Sequence, residues 1–289
     1  MKERTRILRM PQFFKPVCMA YKKMQKSFGR GRYIYVEEKN IREDILRLIS
    51  KIKNTFGLRK EIPLPKIAVF GKSQEGARLP YAAYDTEVHT VIVNLTSDIR
   101  KDEEFLVIHE LCHHVVLMMK AGKGRGFVYK QGEYWIGRML DEGFTNFLAE
   151  QVYGKRVEIA YIFPTHVARQ FSNILGKKYV NDLYLYSNIA TLKKDFNKKL
   201  EMYYPCKKYQ LKNDNGGVIE MTPFDIFCSC IEYIGVHWGS KNEKVASDLS
   251  IAIKCSNEML DYYAVLSDTT NMKSYLDEQN YFLSRYVQR

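Results

Sequence analysis

The chain has 289 residues, of which 46% are hydrophobic, and it carries a formal net charge of +12. This length and composition can bury a sizeable core, and they predict one large or two small domains. No apolar run reaches the roughly 18 residues that span a bilayer, and the N-terminus lacks the apolar stretch of a signal peptide. The six scattered cysteines favour free thiols in a reducing compartment. We therefore expect a cytoplasmic protein without a transmembrane segment.

The positive charge is concentrated at the N-terminus. Residues 1–32 contain ten lysines and arginines against one acid, a net charge of +9, which leaves +3 for the rest of the chain. Any long-range attraction to polyanions therefore belongs to this basic N-terminal arm. A basic amphipathic segment can contact nucleic acid or an anionic surface, or it can pack its apolar side on the protein, and the sequence leaves these alternatives open.

Two kinds of element follow the arm. The segment Lys39–Phe56 has five isoleucines and leucines on one side, which predicts an amphipathic helix. Short β runs are then predicted at residues 66–70, 81–84 and 88–95, with His89 as a surface or turn residue. Past residue 154 the pattern is mostly helical, over residues 157–175, 179–203 and 222–266, with a hairpin at residues 209–221, a helix break near residues 239–240 and a last helix in residues 271–289.

The motif His109-Glu110-Leu111-Cys112-His113 lies in the apolar helical run 102–120. Residues four apart share one face of an α-helix, so both imidazoles can bind the same ion. Neutral imidazole binds Zn²⁺ well, and Glu110 is placed to take a proton from a metal-bound water. His114 points about 100° away from His113, which predicts a supporting or exposed position. The motif therefore predicts a zinc site.

A catalytic zinc site needs a third protein ligand and one open position. The segment 133–153 has apolar residues at helical spacing, and Glu142 lies on or beside their stripe. A carboxylate there is costly to bury without a charge partner, and a divalent cation supplies one. Glu142 is therefore the predicted third ligand. Asp141 and Asn146 are candidate supporting residues, because Asn146 lies one turn past Glu142 and can orient a ligand imidazole.

The segment HELCHH, followed by LDEGFTNFLAE, resembles the zincin metallopeptidases, and among them the gluzincins, whose third ligand is a glutamate on a later helix. The segment around Glu142 is similar to the NEGF-type segment of the M1 aminopeptidases. The 28 residues between His113 and Glu142 are more than thermolysin or M1 enzymes use. That spacing, with Asn146 four residues after the glutamate, also resembles the ImmA/IrrE-type metallopeptidases. The resemblance covers residues 91–150.

The resemblance implies an α+β, zincin-like fold, with a small N-terminal mixed sheet, a metal-binding helix and a mostly helical C-terminal half. We expect a basic arm over residues 1–38, an upper subdomain over residues 39–154 and a helical subdomain over residues 155–289. In zincins, the strand before the metal helix marks the sheet edge that receives an extended peptide, and the sequence leaves open whether residues 88–95 form that edge or a central strand. A tyrosine or histidine of the helical half often binds the tetrahedral intermediate, and the candidates here are Tyr161, His166, Tyr184 and Tyr186.

The expected reaction is hydrolysis of a peptide bond in a peptide or protein substrate. Zinc held by His109, His113 and Glu142 would lower the pKa of its bound water toward about 7, and Glu110 would accept the proton as the water attacks the carbonyl. Three alternatives stay open: an aminopeptidase, a DNA-associated regulatory protease of the ImmA/IrrE type that uses the basic arm, and a non-hydrolytic protein in which zinc is structural.

Overall fold

The computed structural model describes residues 33–35, 39–70, 82–85, 89–93, 101–120, 126–131, 134–159, 161–187, 189–203, 210–212, 218–269 and 271–287. The basic stretch 1–32 lies outside these residues, and so does the prediction that it forms an amphipathic segment. The described part of the chain is mostly helical with a small mixed sheet, which places it in the α+β class.

Four short strands form the mixed sheet: β1 (Tyr33–Tyr35), β2 (Lys66–Phe70), β3 (Ala82–Asp85) and β4 (Thr90–Val93). Their order is β1, β2, β4, β3. Strand β4 runs parallel to β2 and antiparallel to β3, so among the described strands it lies inside the sheet, and β1 and β3 are the two edges. The sequence left open whether the strand before the metal helix is an edge. In the structure β4 is a central strand, and the edge strand beside it is β3, which precedes β4 in the chain.

Helix α1 (Lys39–Phe56) packs its isoleucine and leucine face into the core, as its periodicity predicts, and Ile45 and Leu48 are fully buried. Helix α2 (Lys101–Met119) carries the His-Glu-Leu-Cys-His motif and follows β4. Its buried side includes Ile108, Leu111 and Val115. The apolar residues of α2 therefore pack against the sheet and α1, and this packing positions the motif.

The predicted start of the helix that carries Glu142 is wrong. The predicted helical segment 133–153 is a strand followed by a helix: β5 (Tyr129–Gln131) pairs with β6 (Tyr134–Ile136), and α3 (Arg138–Tyr153) begins only afterwards. Trp135 and Ile136 are hairpin residues that mimic helical spacing. Gly137 separates the elements with φ 90°, and a Cβ there would lie 2.3 Å from the carbonyl oxygen of Phe127. The left-handed backbone ends the strand and starts the helix.

The C-terminal half is mostly helical, as predicted, but the helix predicted from residue 157 begins at Ile162, and the helix predicted over residues 179–203 is two helices. It contains α4 (Ile162–Leu175), α5 (Lys177–Tyr186), α6 (Ile189–Leu200), the hairpin strands β7 (Gln210–Lys212) and β8 (Val218–Glu220), α7 (Pro223–His237), α8 (Glu243–Leu266) and α9 (Met272–Phe282), which ends in a π-helical turn (Leu283–Val287). The predicted hairpin and the break near Gly239 are confirmed. Thr222 caps α7 in a reciprocal capping box with Asp225.

Buried apolar side chains from Ile41 to Phe282 form one cluster, to which the sheet, α2, α3 and the C-terminal helices all contribute. The division at residues 38 and 154 stays a prediction. Four cysteines of the described chain are free and buried: Cys112, Cys228, Cys230 and Cys255. Among the described helices, none combines the length and the apolar character needed to cross a membrane.

Candidate metal centre

The candidate metal centre lies where α2 packs against α3. Nε2 of His109 is 3.2 Å from Nε2 of His113, and Oε2 of Glu142 lies 3.1 Å from the first nitrogen and 3.3 Å from the second. Four donors that bind a tetrahedral zinc ion at about 2.0 Å lie about 3.3 Å from one another. These three atoms therefore have the mutual spacing of three corners of a zinc coordination tetrahedron.

Close packing of α3 against α4 determines where Glu142 lies. Gly143 follows Glu142, and a Cβ on Gly143 would lie 2.2 Å from the carbonyl oxygen of Pro164. Only glycine permits this approach, because any side chain would overlap the backbone of α4. Phe144 and Leu148 then bury the opposite part of α3 in the core. The glycine next to the ligand thus sets the distance between the helix that carries Glu142 and the start of α4.

Glu110 also lies near the two imidazoles. One of its carboxylate oxygens falls within 4.8 Å of a ring nitrogen of His109 and of His113. The backbone N–H of Tyr84, on the edge strand, faces the Glu110 carboxylate, whereas Glu142 contacts both imidazole nitrogens directly. Burial raises the pKa of Glu110. Glu142 is therefore the better candidate for a third ligand, although Glu110 also lies within metal-binding range of both imidazoles.

The ligand set attracts a cation. Burial opposes ionisation of Glu142, but the imidazoles of His113 and His109 hold the pKa of this carboxyl well below its usual range. Burial likewise disfavours a charged His113, yet the Glu142 carboxylate raises the pKa of His113 to about 9. Without a metal, a proton on His113 thus balances the buried carboxylate. A divalent cation can replace that proton and supply more positive charge.

His109 is oriented from behind by Asn146. Its Nδ1 lies 2.8 Å from Oδ1 of Asn146, which can only accept, so Nδ1 carries the hydrogen and the lone pair of Nε2 faces Glu142. The other end of the amide donates to Oγ1 of Thr165 at 3.1 Å, and Thr165 donates to the carbonyl oxygen of Tyr161. This chain of bonds holds the tautomer that a metal ligand needs.

His113 has its own supporting residues. Its Nδ1 lies 3.3 Å from Oγ1 of Thr145 and 3.7 Å from Oδ2 of Asp141. Tyr184 donates to Oδ1 of Asp141 at 2.7 Å, and the backbone N–H of Phe127 donates to the same oxygen. Tyr184 thus supports Asp141 and does not itself reach the ligand nitrogens. Asp141 is a buried member of this network and not a surface residue.

Tyr161 lies at the centre itself. Its ring stacks on the imidazole of His109 with centroids 5.7 Å apart, and its hydroxyl donates to the Glu142 carboxylate. The negative charge of Glu142 raises the pKa of Tyr161 well above its usual range, so the phenol keeps its proton. Tyr161 has φ 51°, a left-handed conformation that is uncommon for a tyrosine. Nε of Arg138 lies 3.8 Å from Oε1 of Glu142 and adds a positive charge.

Two of the candidates suggested by the resemblance lie away from the ligands. His166 is fully buried against α9, where its ring stacks on Phe282 and its Nδ1 lies 3.0 Å from Oε1 of Glu278. Tyr186 is 51% exposed at the end of α5. Of the four aromatic and histidine candidates, the structure brings only Tyr161 into contact with a ligand.

Four residues of the centre were not identified from the sequence: Tyr84, Arg138, Thr145 and Thr165. Helical spacing could have identified Thr145, because a residue three positions after Glu142 lies near its face of α3. Tyr84 and Thr165 belong to other elements and reach the centre only through tertiary contacts, for which the sequence carries no periodic signal. The positive φ of Tyr161 could not be predicted from the sequence either.

The groups of this centre are suited to binding a metal ion and to transferring a proton. Two imidazole nitrogens and a carboxylate oxygen can hold a divalent metal ion, a buried carboxylate adjoins them, and a protonated phenol faces the same space. No protein-family model, curated protein or solved structure matches this chain.

Proposed function

We propose that the protein is a zinc-dependent metallopeptidase that hydrolyses peptide bonds. One observation supports this proposal above the others: the ligand atoms of His109, His113 and Glu142 lie 3.1 to 3.3 Å from one another beside a buried glutamate. Structural zinc sites have four protein ligands, whereas catalytic sites have three and one open position. Three converging ligands with Glu110 adjacent correspond to the catalytic arrangement.

The donor set suits zinc. Both histidines use Nδ1 to contact a neighbouring side chain, which leaves each Nε2 facing the carboxylate. Two neutral imidazoles and one carboxylate form the ligand set of the His₂Glu zinc peptidases. A bound zinc ion supplies Lewis acidity, which polarises a carbonyl group and lowers the pKa of water. His109, His113 and Glu142 would hold it, and Asn146 and Thr145 would keep the two rings in place.

Glu110 acts as the general base. Burial raises the pKa of its carboxyl above the ordinary value, which brings it closer to the range in which a carboxylate accepts a proton and then releases it. In the proposed reaction Glu110 accepts the proton of the attacking water and passes it to the leaving amine. The backbone N–H of Tyr84, which faces the carboxylate, would keep it oriented during both transfers.

Tyr161 stabilises the negative charge that develops on the carbonyl oxygen. Its hydroxyl keeps its proton and donates to Glu142 in the free protein. The left-handed backbone and the stack on His109 hold the phenol beside the ligands, so it needs little rearrangement to donate to a substrate oxygen. Strand β3, the sheet edge next to Glu110, offers backbone groups with which an extended peptide can pair.

The direct test combines metal analysis with a protease assay. Purified protein is expected to bind one zinc ion per chain and to cleave an unfolded protein such as casein, with the activity lost in a chelator and restored by zinc. Glu110→Gln is expected to bind zinc normally and to lose the activity. Glu61→Gln, at an exposed glutamate, is the matched control and should behave as wild type. Full activity of Glu110→Gln, or a wild-type protein that binds no zinc at neutral pH, would refute the proposal.

A further inference from the structure

The histidine that follows the motif, His114, contacts the edge strand and not the candidate ligands. It is 1% exposed, its Nε2 lies 2.7 Å from the carbonyl oxygen of Pro63, and its Nδ1 lies 2.9 Å from the hydroxyl of Tyr84. A carbonyl oxygen only accepts, so Nε2 carries the hydrogen. In the neutral ring Nδ1 then accepts, and the hydroxyl of Tyr84 donates to it. His114 therefore joins α2 to β3.

The same hydroxyl has a second histidine partner. Nδ1 of His89 lies 3.2 Å from it, and because the hydroxyl donates to His114, its oxygen accepts from His89. His89 precedes β4 with φ 52°, and its carbonyl oxygen accepts from the backbone N–H of Lys66. We call the three side chains His89, Tyr84 and His114 the Tyr84 relay. It fixes one edge-strand residue between the sheet and α2.

The backbone of Tyr84 contacts the proposed general base. Its N–H faces the carboxylate of Glu110, which lies one turn before His114 on α2. Strand β3 pairs with β4 on one side only, and none of the described strands covers its other side. A strand held on one side can shift relative to the helix, and such a shift would move the N–H away from Glu110. The relay opposes this shift, because it attaches the same residue to α2 through its side chain.

We propose that Tyr84 and His114 are positioning residues for Glu110, acting through the edge strand. The inference rests on the proposed hydrolysis, in which Glu110 must face the attacking water. Without the relay, the backbone donor of Tyr84 would no longer hold the carboxylate in one orientation. The proposed zinc ligands would be unaffected. Among the described contacts, the only link between these residues and the ligands is the peptide bond between His113 and His114.

Amide hydrogen exchange tests the contact without any need for activity. In the wild type, the Tyr84 N–H should be protected although it belongs to an edge strand. Glu110→Ala removes the acceptor, and Tyr84→Phe removes only the hydroxyl. Both should raise the exchange rate of residue 84 by about tenfold, the effect of one lost hydrogen bond. Tyr179→Phe, at an exposed tyrosine, is the control and should leave this rate unchanged.

Steady-state kinetics of folded, zinc-loaded variants tests the consequence. Tyr84→Phe should lower kcat about ten- to hundredfold, as misplaced catalytic groups do, and change KM and zinc content little. His114→Asn keeps an acceptor near the position of Nδ1, whereas His114→Gln keeps a donor near that of Nε2. The Asn variant should therefore retain most of the wild-type kcat, and the Gln variant should resemble Tyr84→Phe.

The outcomes are distinguishable. Unchanged kcat in Tyr84→Phe, unchanged exchange of its amide, or full activity of His114→Gln with an inactive His114→Asn would each overturn the inference and leave the peptidase proposal intact. A wild-type protein that protects the Tyr84 amide but cleaves no peptide would instead refute the peptidase proposal.

Discussion

The side-chain amide of Asn146 connects the two sides of the candidate centre: its Oδ1 lies 2.8 Å from Nδ1 of His109, and its Nδ2 lies 3.1 Å from Oγ1 of Thr165. Thr165 in turn donates to the carbonyl oxygen of Tyr161, whose ring stacks on His109. These contacts join four residues in a closed circuit. They hold the imidazole of His109, the start of α4 and the phenol of Tyr161 in fixed relative positions.

Replacing Asn146 should therefore weaken zinc binding without removing a ligand. In Asn146→Ala, Nδ1 of His109 loses its acceptor, and both the tautomer and the ring orientation become free. Loss of such a supporting residue typically lowers metal affinity about 10- to 100-fold. Competition with a chromophoric chelator measures the affinity, and Asn54→Ala on the exposed side of α1 serves as the control. Equal affinities in the Asn146 variant and the wild type would show that this contact does not orient the ligand.

The third ligand can be distinguished from the general base by zinc content alone. Glu142→Ala removes an oxygen that contacts both imidazoles, so zinc should be lost during dialysis at neutral pH. Glu110→Gln changes a neighbouring residue that holds none of the three ligand positions, and its zinc content should stay at one per chain. If Glu142→Ala retained zinc and Glu110→Gln lost it, the two glutamates would have to exchange roles.

Tyr161→Phe should reduce turnover and leave the metal in place. The variant keeps the ring that stacks on His109 and loses only the hydroxyl that now donates to Glu142. Removal of one donor to a developing oxyanion costs about 10²- to 10³-fold in kcat. The test measures kcat and KM on one peptide at matched zinc content, with Tyr179→Phe as control. A kcat within twofold of the control value, roughly the scatter between neutral variants, would remove Tyr161 from the mechanism.

Glu232 should make the stability of the protein depend on pH. It lies on α7 and accepts from the backbone N–H of Met139, in the first turn of α3, where Gly137 provides no side-chain cap. Burial raises the pKa of Glu232 from 4.5 to about 7. A carboxyl whose pKa is higher in the folded protein stabilises it in the protonated form, and this contribution is lost as the pH rises from about 4.5 to 7.

Glu232→Gln keeps an acceptor and cannot ionise, so it should gain stability relative to the wild type as the pH rises. The difference in free energy of unfolding should increase by about 2 kcal/mol between pH 5 and pH 8, somewhat less than the full shift implies. Urea unfolding of the zinc-free proteins at both pH values measures it, with Glu61→Gln as the control. A difference that is the same at both pH values would show that Glu232 ionises freely in the fold.

Periodicity predicted the helices well because it reports on a single element at a time. The apolar stripes of α1 and α2 and the Thr222-Pro223 start of α7 are local features, and all appear at the expected positions. The start of α3 was misplaced because Trp135 and Ile136 have helical spacing to later residues but pair across a hairpin with β5. In a segment this short, the spacing of the apolar residues is compatible with a strand as well as with a helix.

The sequence by itself determined that His109 and His113 share one face of a helix, that Glu110 lies between them, and that an acid follows on a later helix. Helix geometry alone imposes these relations, because they depend only on residue spacing. The tertiary structure decided that Oε2 of Glu142 meets both imidazoles, that Tyr161 and not His166 reaches them, and that the edge strand holds Glu110. Those contacts depend on how separate helices and strands pack, which is a property of the whole buried core and not of any one segment.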